Sequence, residues 1–490
     1  MKVILLMPPT DPERSYGGMT KFSNPVPSIG LAYIAALLRH NGYAVSILDA
    51  YCMQISVDEV VERVVHAKPD ILGVSVLTTS AFVVEQIALK IKKLLPEISI
   101  VMGNLHASLF ADELLQKEIT DIVVHREGEH TMLEVADALK AGTSLDKVKG
   151  ISYCVNGEVR HNEMRSFITE LDALPLPAWD LFDLKLYSRD PRSAVKGMAV
   201  AFTELYLLAT RGCPSACTFC SSHTEKSMGV KYRMRSPEKV VDEISLLYDK
   251  YGATVISFMD LAFPLVRSHA MDLCQEIIRR NLNKKIRWIS EVRANSLDEE
   301  LLHTMKKAGC IRLYLGIESG NQEILDAIKK KITLEDVRRA VDMSRKEGIE
   351  IDATFMLGLP GETREMSWKT VKFAKQLDVR FAIFNLFVPY PGCELYDQLK
   401  AQCKISAESW SDFASYPSYS GSKPVYVPDG RDWRELVQTQ KRAMREFYLR
   451  PKFIIGELKR FRFSHLPSYF AGLKSLIMPS RNAFRNIIRK

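Results

Sequence analysis

A chain of 490 residues, 47% hydrophobic and 26% charged, is long enough for two large cores and too apolar for intrinsic disorder. Its formal charge of +8 is uneven: Arg450–Lys490 carries +9, with ten Lys or Arg against the single Glu457, and the rest carries −1. A nucleic-acid surface on the body is thereby excluded. No apolar run approaches the roughly 18 residues of a membrane span, and nine cysteines, of which only three are closely spaced, fit a reducing, cytoplasmic setting.

Residues 1–145 alternate short apolar runs with amphipathic ones. The predicted strands are Lys2–Met7, Ala44–Asp49, Ile71–Val76, Ser99–Gly103 and Asp121–His125, with helices such as Ser28–His40 and Ser80–Leu95 between them. The first strand reads as buried structure rather than as a signal peptide. Five strands with interposed helices predict a doubly wound parallel sheet whose ligand crevice lies beyond the strand carboxyl ends. The segments expected there are Pro8–Tyr16, Ser75–Thr79, Gly103–Ser108 and Arg126–Thr131.

Residues 146–202 read as a connector. Asn156-Gly157 has the chemistry of a two-residue hairpin turn, and Leu174-Pro175-Leu176-Pro177 ends regular structure. From 203 to 400 the βα alternation resumes, with strands at Glu204–Thr210, Val255–Asp260, Ile286–Glu291, Ile311–Ile317, Ile351–Leu357 and Phe381–Val388. Helix caps are expected at Ser236-Pro237-Glu238, Ser296-Leu297-Asp298-Glu299 and Thr333-Leu334-Glu335-Asp336. Six units predict a partial (β/α)6 barrel of TIM type with its site at the strand carboxyl ends. Residues 401–490 form an extension: a loop at Tyr416–Ser422, a helix over Asp432–Leu449, and a tail in which cations interleave with aromatic and aliphatic residues. Such a tail suits a membrane interface, a partner, or the protein's own barrel.

The most specific motif follows the first barrel strand. Thr210-Arg211-Gly212-Cys213-Pro214-Ser215-Ala216-Cys217-Thr218-Phe219-Cys220 crowds three thiols into one turn. Soft thiolates at this spacing hold a metal centre, and three of them leave one ligand position open. The alternatives are a chance cluster or a zinc knuckle completed by His223. Cys-x-x-x-Cys-x-x-Cys with Phe219 before the last cysteine resembles the signature of the radical S-adenosylmethionine (SAM) enzymes.

That resemblance implies a 4Fe-4S cluster on Cys213, Cys217 and Cys220 whose open iron chelates SAM. One-electron reduction, by an external donor of flavodoxin or ferredoxin type, then yields a 5′-deoxyadenosyl radical. It further implies SAM contacts from Phe219, from Asp260 in Asp260-Leu261-Ala262-Phe263, from Arg293 toward the carboxylate, from Glu318 and Ser319 in Gly316-Ile317-Glu318-Ser319-Gly320, and from Gly358 in Gly358-Leu359-Pro360-Gly361. The bland alternatives are barrel-top ion pairs and a turn before a helix.

Upstream, Gly73-Val74-Ser75-Val76-Leu77-Thr78-Thr79, Gly103-Asn104-Leu105-His106-Ala107 and Gly128-Glu129-His130-Thr131 resemble cobalamin-binding domains fused to radical enzymes. Ser75, Leu77, Thr78, Gly103, Asn104, His106, Gly128 and Glu129 are the implied contacts. Two departures stand out. The loop Thr10-Asp11-Pro12-Glu13-Arg14 lacks the Asp-x-His-x-x-Gly motif that supplies a cobalt ligand, and Asn104 replaces a usual glycine. A flavodoxin-like sheet without a cofactor is the alternative.

The implied activity is cobalamin-dependent methyl transfer to an unactivated carbon of a small molecule, with lipid-like compounds favoured by the tail. The chemistry would reside in the cofactors, so no catalytic side chain is singled out. Ring formation, as in the anaerobic tetrapyrrole cyclases, shares this architecture, and a non-catalytic corrinoid or redox module is the alternative from another class. A methylthiotransferase is disfavoured because only Cys52 lies in the upstream domain.

Overall fold

The computed structural model describes residues 1–10, 26–187, 203–221, 229, 231–413, 422–459 and 470. Most of the loop after the first strand, the second part of the connector, His223, residues 416–421 of the extension loop and nearly all of the tail beyond 459 lie outside the described residues.

The first sheet contains β1 (Lys2–Met7), β2 (Ala44–Asp49), β3 (Ile71–Ser75), β4 (Ser99–Gly103), β5 (Ile122–Val124), β6 (Ile151–Val155) and β7 (Glu158–His161). Their spatial order is β2-β1-β3-β4-β5-β6-β7. The first five run parallel, and β6 and β7 are antiparallel. Both faces are covered, as the continuous apolar strands require. Val3 and Leu5 pack under α1 (Ile29–His40) and α3 (Glu129–Ala141), whereas Ile4 and Leu6 face α2 (Ala81–Leu94). The hairpin assigned to the connector instead extends this sheet: Tyr153 pairs with Ile122, and the turn at Asn156 and Gly157 has φ of 53° and 82°. Backbone pairing at the β5 edge thus recruits residues that chain order alone assigns to a linker.

The second sheet has the order β15-β14-β13-β12-β11-β8 and is parallel throughout. Its strands are β8 (Glu204–Leu207), β11 (Val255–Phe258), β12 (Arg287–Val292), β13 (Cys310–Glu318), β14 (Glu350–Leu357) and β15 (Phe381–Leu386). Sequential order without reversal is that of an open half-barrel. The first predicted strand breaks after Leu207, and its remainder forms the two-residue ribbon β9 (Thr210–Arg211) with β10 (Arg233–Met234). Helix starts follow their caps: Ser236 precedes α4 (Pro237–Tyr251), Asp298 rather than Ser296 caps the helix Glu299–Lys307, and Thr333 with Asp336 forms a capping box.

An open sheet leaves strand edges to protect. Helix α6 (Trp433–Tyr448) covers β15: Gln440 Nε2 donates to the Phe384 carbonyl at 2.9 Å and the Tyr448 hydroxyl to the Ala382 carbonyl at 2.9 Å. Helix α7 (Pro451–Lys459) continues along that edge through Arg380–Glu457 at 3.3 Å and Lys452–Asp378 at 2.5 Å. The connector is clamped too. Trp179 is fully buried, with Nε1 donating to Glu243 at 3.1 Å, and Ala178 N donates to the Ala32 carbonyl at 3.0 Å.

Candidate active site

The cysteine loop rises from the β9/β10 ribbon, and its stem is held from below by Asp260. That carboxylate accepts from Thr210 Oγ1 at 2.5 Å and from Ala209 N at 3.2 Å. Full burial pushes its pKa up to about 6, against the opposing pull of these two donors. Asp260, a sequence candidate for SAM contact, is therefore spent on supporting the loop. Gly212 has φ +87°, and a Cβ there would stand 2.2 Å from the Lys231 carbonyl oxygen, so only glycine lets the chain turn from ribbon to loop. Farther along, Thr218 N donates to the Ile328 carbonyl at 3.0 Å and Leu395 N to the Thr218 carbonyl at 2.9 Å, which fastens the loop across the barrel mouth.

Cys213, Cys217 and Cys220 open on one cavity of about 310 Å³, shared with Ser215, Phe219, Glu291, Arg293, Tyr314, Glu318, Lys330 and Thr354. Among the described residues, no three His, Cys, Asp or Glu side chains stand close enough to hold a single ion. The three thiols of the loop are one short of the four ligands that a structural zinc ion takes. Arg293 Nη1 lies 3.9 Å from Cys217 Sγ, and its Nη2 donates to the Lys330 carbonyl. Lys330 Nζ pairs with Glu318 at 2.6 Å and lies 5.6 Å from the Phe219 ring centre. Glu318 itself has φ +72°, at a shift in the β13/β14 register. A non-glycine residue held in this conformation costs about 1–3 kcal/mol and marks a place where side-chain direction is enforced.

Besides Asp260, two more sequence candidates do not reach the cavity. The Ser319 hydroxyl is buried against Thr370 Oγ1 at 3.3 Å. Gly358 packs under Leu436, whose Cδ2 lies 2.9 Å from the position a Cβ would take. Conversely, Glu291, Tyr314, Lys330 and Thr354 were not singled out from sequence. The signal lay in strand alternation, since Glu291 with Arg293 and Tyr314 with Gly316 and Glu318 are spaced by two and point inward together. Glu291 is exposed on the cavity side of its strand. Protein crowded around the barrel mouth thins its hydration and, followed by the neighbouring Glu318, raises its pKa to about 7.

A second cavity, of about 270 Å³, sits at the carboxyl ends of the first sheet. Ser75, Gly103, Asn104, Gly128 and Glu129 line it with Leu5, Ile34, Gly73, Val101, Val124 and Arg211. Asn104 adopts φ +78°, the conformation of the glycine it replaces, and its Nδ2 donates to Ser75 Oγ at 3.1 Å. Narrow apolar walls, glycine backbone and a few hydroxyl and amide groups suit the insertion of a flat, partly polar ring. Leu77 stays outside, 39% exposed. His106 and Thr78 turn away from the cavity: His106 Nδ1 lies 3.3 Å from Thr78 Oγ1, and its ring packs on Phe110 and Trp410. Burial lowers the His106 pKa to about 4, so it remains neutral. Glu129 lines the cavity yet also binds Arg211 Nη2 at 2.6 Å.

Residues 207–374 match the radical SAM superfamily and residues 17–136 the B12 binding domain. The chain is 32% identical to an uncharacterised methyltransferase of Pyrococcus horikoshii over 94% of its own length and 95% of that protein. The chain belongs to the cobalamin-dependent radical SAM family. Its cofactors are accordingly a 4Fe-4S cluster, SAM and cobalamin. This radical SAM enzyme is also 28% identical to the anaerobic magnesium-protoporphyrin IX monomethyl ester cyclase of Rubrivivax gelatinosus, over 93% of the chain and 78% of that protein. Its fold is that of TsrM, a radical SAM methyltransferase from Kitasatospora setae solved with cobalamin and a 4Fe-4S cluster bound. The TM-score is 0.69 at 19% identity, covering 92% of this chain and 89% of that one. No helix among the described residues is long and apolar enough to cross a membrane.

Proposed function

We propose that this enzyme transfers a methyl group from cobalamin to an unactivated carbon of a small molecule, with Cys213, Cys217 and Cys220 holding the cluster. The observation that carries the reading is the opening of these three thiols, Glu291 and Arg293 onto one cavity. When bound, the reduced cluster supplies the electron that cleaves SAM, and cobalamin supplies the methyl group. Arg293 is oriented for a carboxylate, since its guanidinium is fixed by the Lys330 carbonyl and directed past Cys217. Glu291 offers the opposite charge two residues away, toward an ammonium or sulfonium centre. Glu318 and Lys330 neutralise each other at the rim, while Leu261, Ala262 and Val292 supply apolar wall that excludes water.

The first-sheet cavity is assigned to the nucleotide-tail end of cobalamin, with Ser75 and Asn104 as its polar contacts. Anaerobic turnover with methyl-labelled SAM and a strong reductant tests the whole reading. Label in the product together with 5′-deoxyadenosine is the expected result. Absence of 5′-deoxyadenosine from cluster-loaded protein would refute it, and 5′-deoxyadenosine with unlabelled product would favour the cyclase reading that the Rubrivivax relative supports.

SAM binding should depend on pH. Below about 7 the Glu291 carboxyl is protonated, and a cationic ligand gains nothing from it. As pH rises through that value the carboxylate forms and binding strengthens. Titration calorimetry between pH 6 and 8 should show tightening that Glu291→Gln abolishes. Bound cobalamin should lack histidine nitrogen as lower ligand, because residues 10–25 contain no histidine and His106 is buried beside Thr78. A nitrogen superhyperfine pattern in the reduced, paramagnetic state would contradict this.

The tail is assigned to an anionic membrane surface, which would deliver a lipid-like substrate. Ile454, Ile455 and Leu458 are 43%, 53% and 65% exposed on α7, and the sequence from Arg450 onward contains ten cations. Co-sedimentation with anionic vesicles should be lost when residues 451–490 are removed, and equal sedimentation of the two forms would refute the assignment.

A further inference from the structure

The stem of the cysteine loop sets two buried cations side by side, and carboxylates of the other domain neutralise them. In the β9/β10 ribbon, Arg211 and Arg233 are direct cross-strand partners. Both are buried, at 6% and 4% relative exposure. Two guanidinium groups side by side in such surroundings repel, and a ribbon of two residues per strand has little else to hold it together.

The counter-charges come from the loop after β5, in the first domain. Glu127 Oε1 accepts from Arg211 Nη1 at 2.9 Å and from Arg233 Nη1 at 2.8 Å, and Glu127 Oε2 is also 2.8 Å from Arg233 Nη1. Glu129 takes the other side of Arg211 at 2.6 Å, and the Tyr33 ring lies 4.9 Å from the Arg211 guanidinium. Glu127 and Glu129 are themselves buried. Two carboxylates and two guanidiniums give a neutral set closed off from water, the condition under which a buried ionic group is sustained.

Three of these residues line the first-sheet cavity, and one of the three adjoins the cysteine loop along the chain. Glu127, Gly128, Glu129 and Arg211 form wall of the first-sheet cavity. Arg211 is two residues from Cys213, joined through Gly212, where the Lys231 carbonyl leaves no slack. Movement of the loop at Cys213 therefore moves a wall of the other cavity, and an occupant of that cavity presses on the stem of the loop.

We infer that Glu127, Glu129, Arg211 and Arg233 are positioning residues that couple cobalamin binding to cluster assembly. Each cofactor binds more tightly when the other is in place, and by linkage the two factors are equal. The inference rests on the assignment of the first-sheet cavity to cobalamin. It adds an energetic link between the two sites, carried by side chains that touch neither iron nor cobalt.

The test is equilibrium dialysis of hydroxocobalamin against the full chain, reconstituted anaerobically or stripped of iron by chelation. Wild-type protein should bind at least tenfold more tightly with the cluster than without it. In Arg211→Gln the ratio should fall to near one, with thermal unfolding of the stripped form monitored in parallel. If Arg211→Gln does not fold, Glu127→Gln replaces it, with the same expected fall in the ratio. A wild-type ratio within twofold of one, or an unchanged ratio in folded Arg211→Gln, overturns the coupling. Failure of both wild-type forms to bind would overturn the cobalamin assignment, and the coupling with it.

Discussion

Cys217→Ala should yield folded protein that neither retains a complete cluster nor cleaves SAM. Cys217 is buried at the turn of its loop, with Arg293 3.9 Å away. The loop is fastened by backbone groups of its neighbour, Thr218, to Ile328 and Leu395. Alanine preserves those bonds, so the unfolding midpoint should move little. If Cys217 binds iron directly, as proposed, its loss should reduce 5′-deoxyadenosine formation by more than the roughly 10–100-fold typical of residues that only support a metal ligand. Iron analysis, the cluster's paramagnetic spectrum and chromatography of the nucleoside measure the three quantities separately. Normal cleavage would overturn the ligand assignment.

Glu243→Ala is expected to produce the largest loss of stability without touching either cavity. Glu243 is fully buried, receives Arg235 Nη1 at 2.5 Å and Trp179 Nε1 at 3.1 Å, and ties α4 to the connector. Its removal leaves the Arg235 guanidinium in the core with, among the described residues, the Leu208 and Lys239 carbonyls as hydrogen-bond partners. Breaking such a pair costs about 3–5 kcal/mol, whereas replacing both members with apolar residues of similar volume is often neutral. A fall of roughly 10 °C in unfolding temperature is expected for the single variant. The double variant Glu243→Met with Arg235→Met should recover most of it. An unchanged midpoint in Glu243→Ala would show that this pair does not hold the connector.

The parallel strands were legible because burial on both faces writes itself as apolar runs. The cysteine loop was legible because thiol spacing constrains metal chemistry directly. Side-chain fate at strand ends was not. Asp260, Ser319 and His106 are polar residues just past a strand, and so are Arg293 and Glu318; in one dimension nothing separates a group tied to nearby backbone or hydroxyls from one open to a cavity. The difference arises from pairings such as Asp260 with Thr210 and Ser319 with Thr370, separated by about fifty residues. Arg211 and Arg233 were hidden for a related reason, since their significance depends on Glu127, more than eighty residues upstream of either.

Trp410 carries a consequence for how the molecule is made. Its ring lies 5.0 Å from that of His106 and 4.7 Å from that of Phe110, so a segment near the end of the chain completes the surface of the domain synthesised first. While the ribosome is still making the barrel, the seat for this indole is bare and apolar. The first sheet should therefore reach its final protection from proteolysis only after Trp410 has emerged.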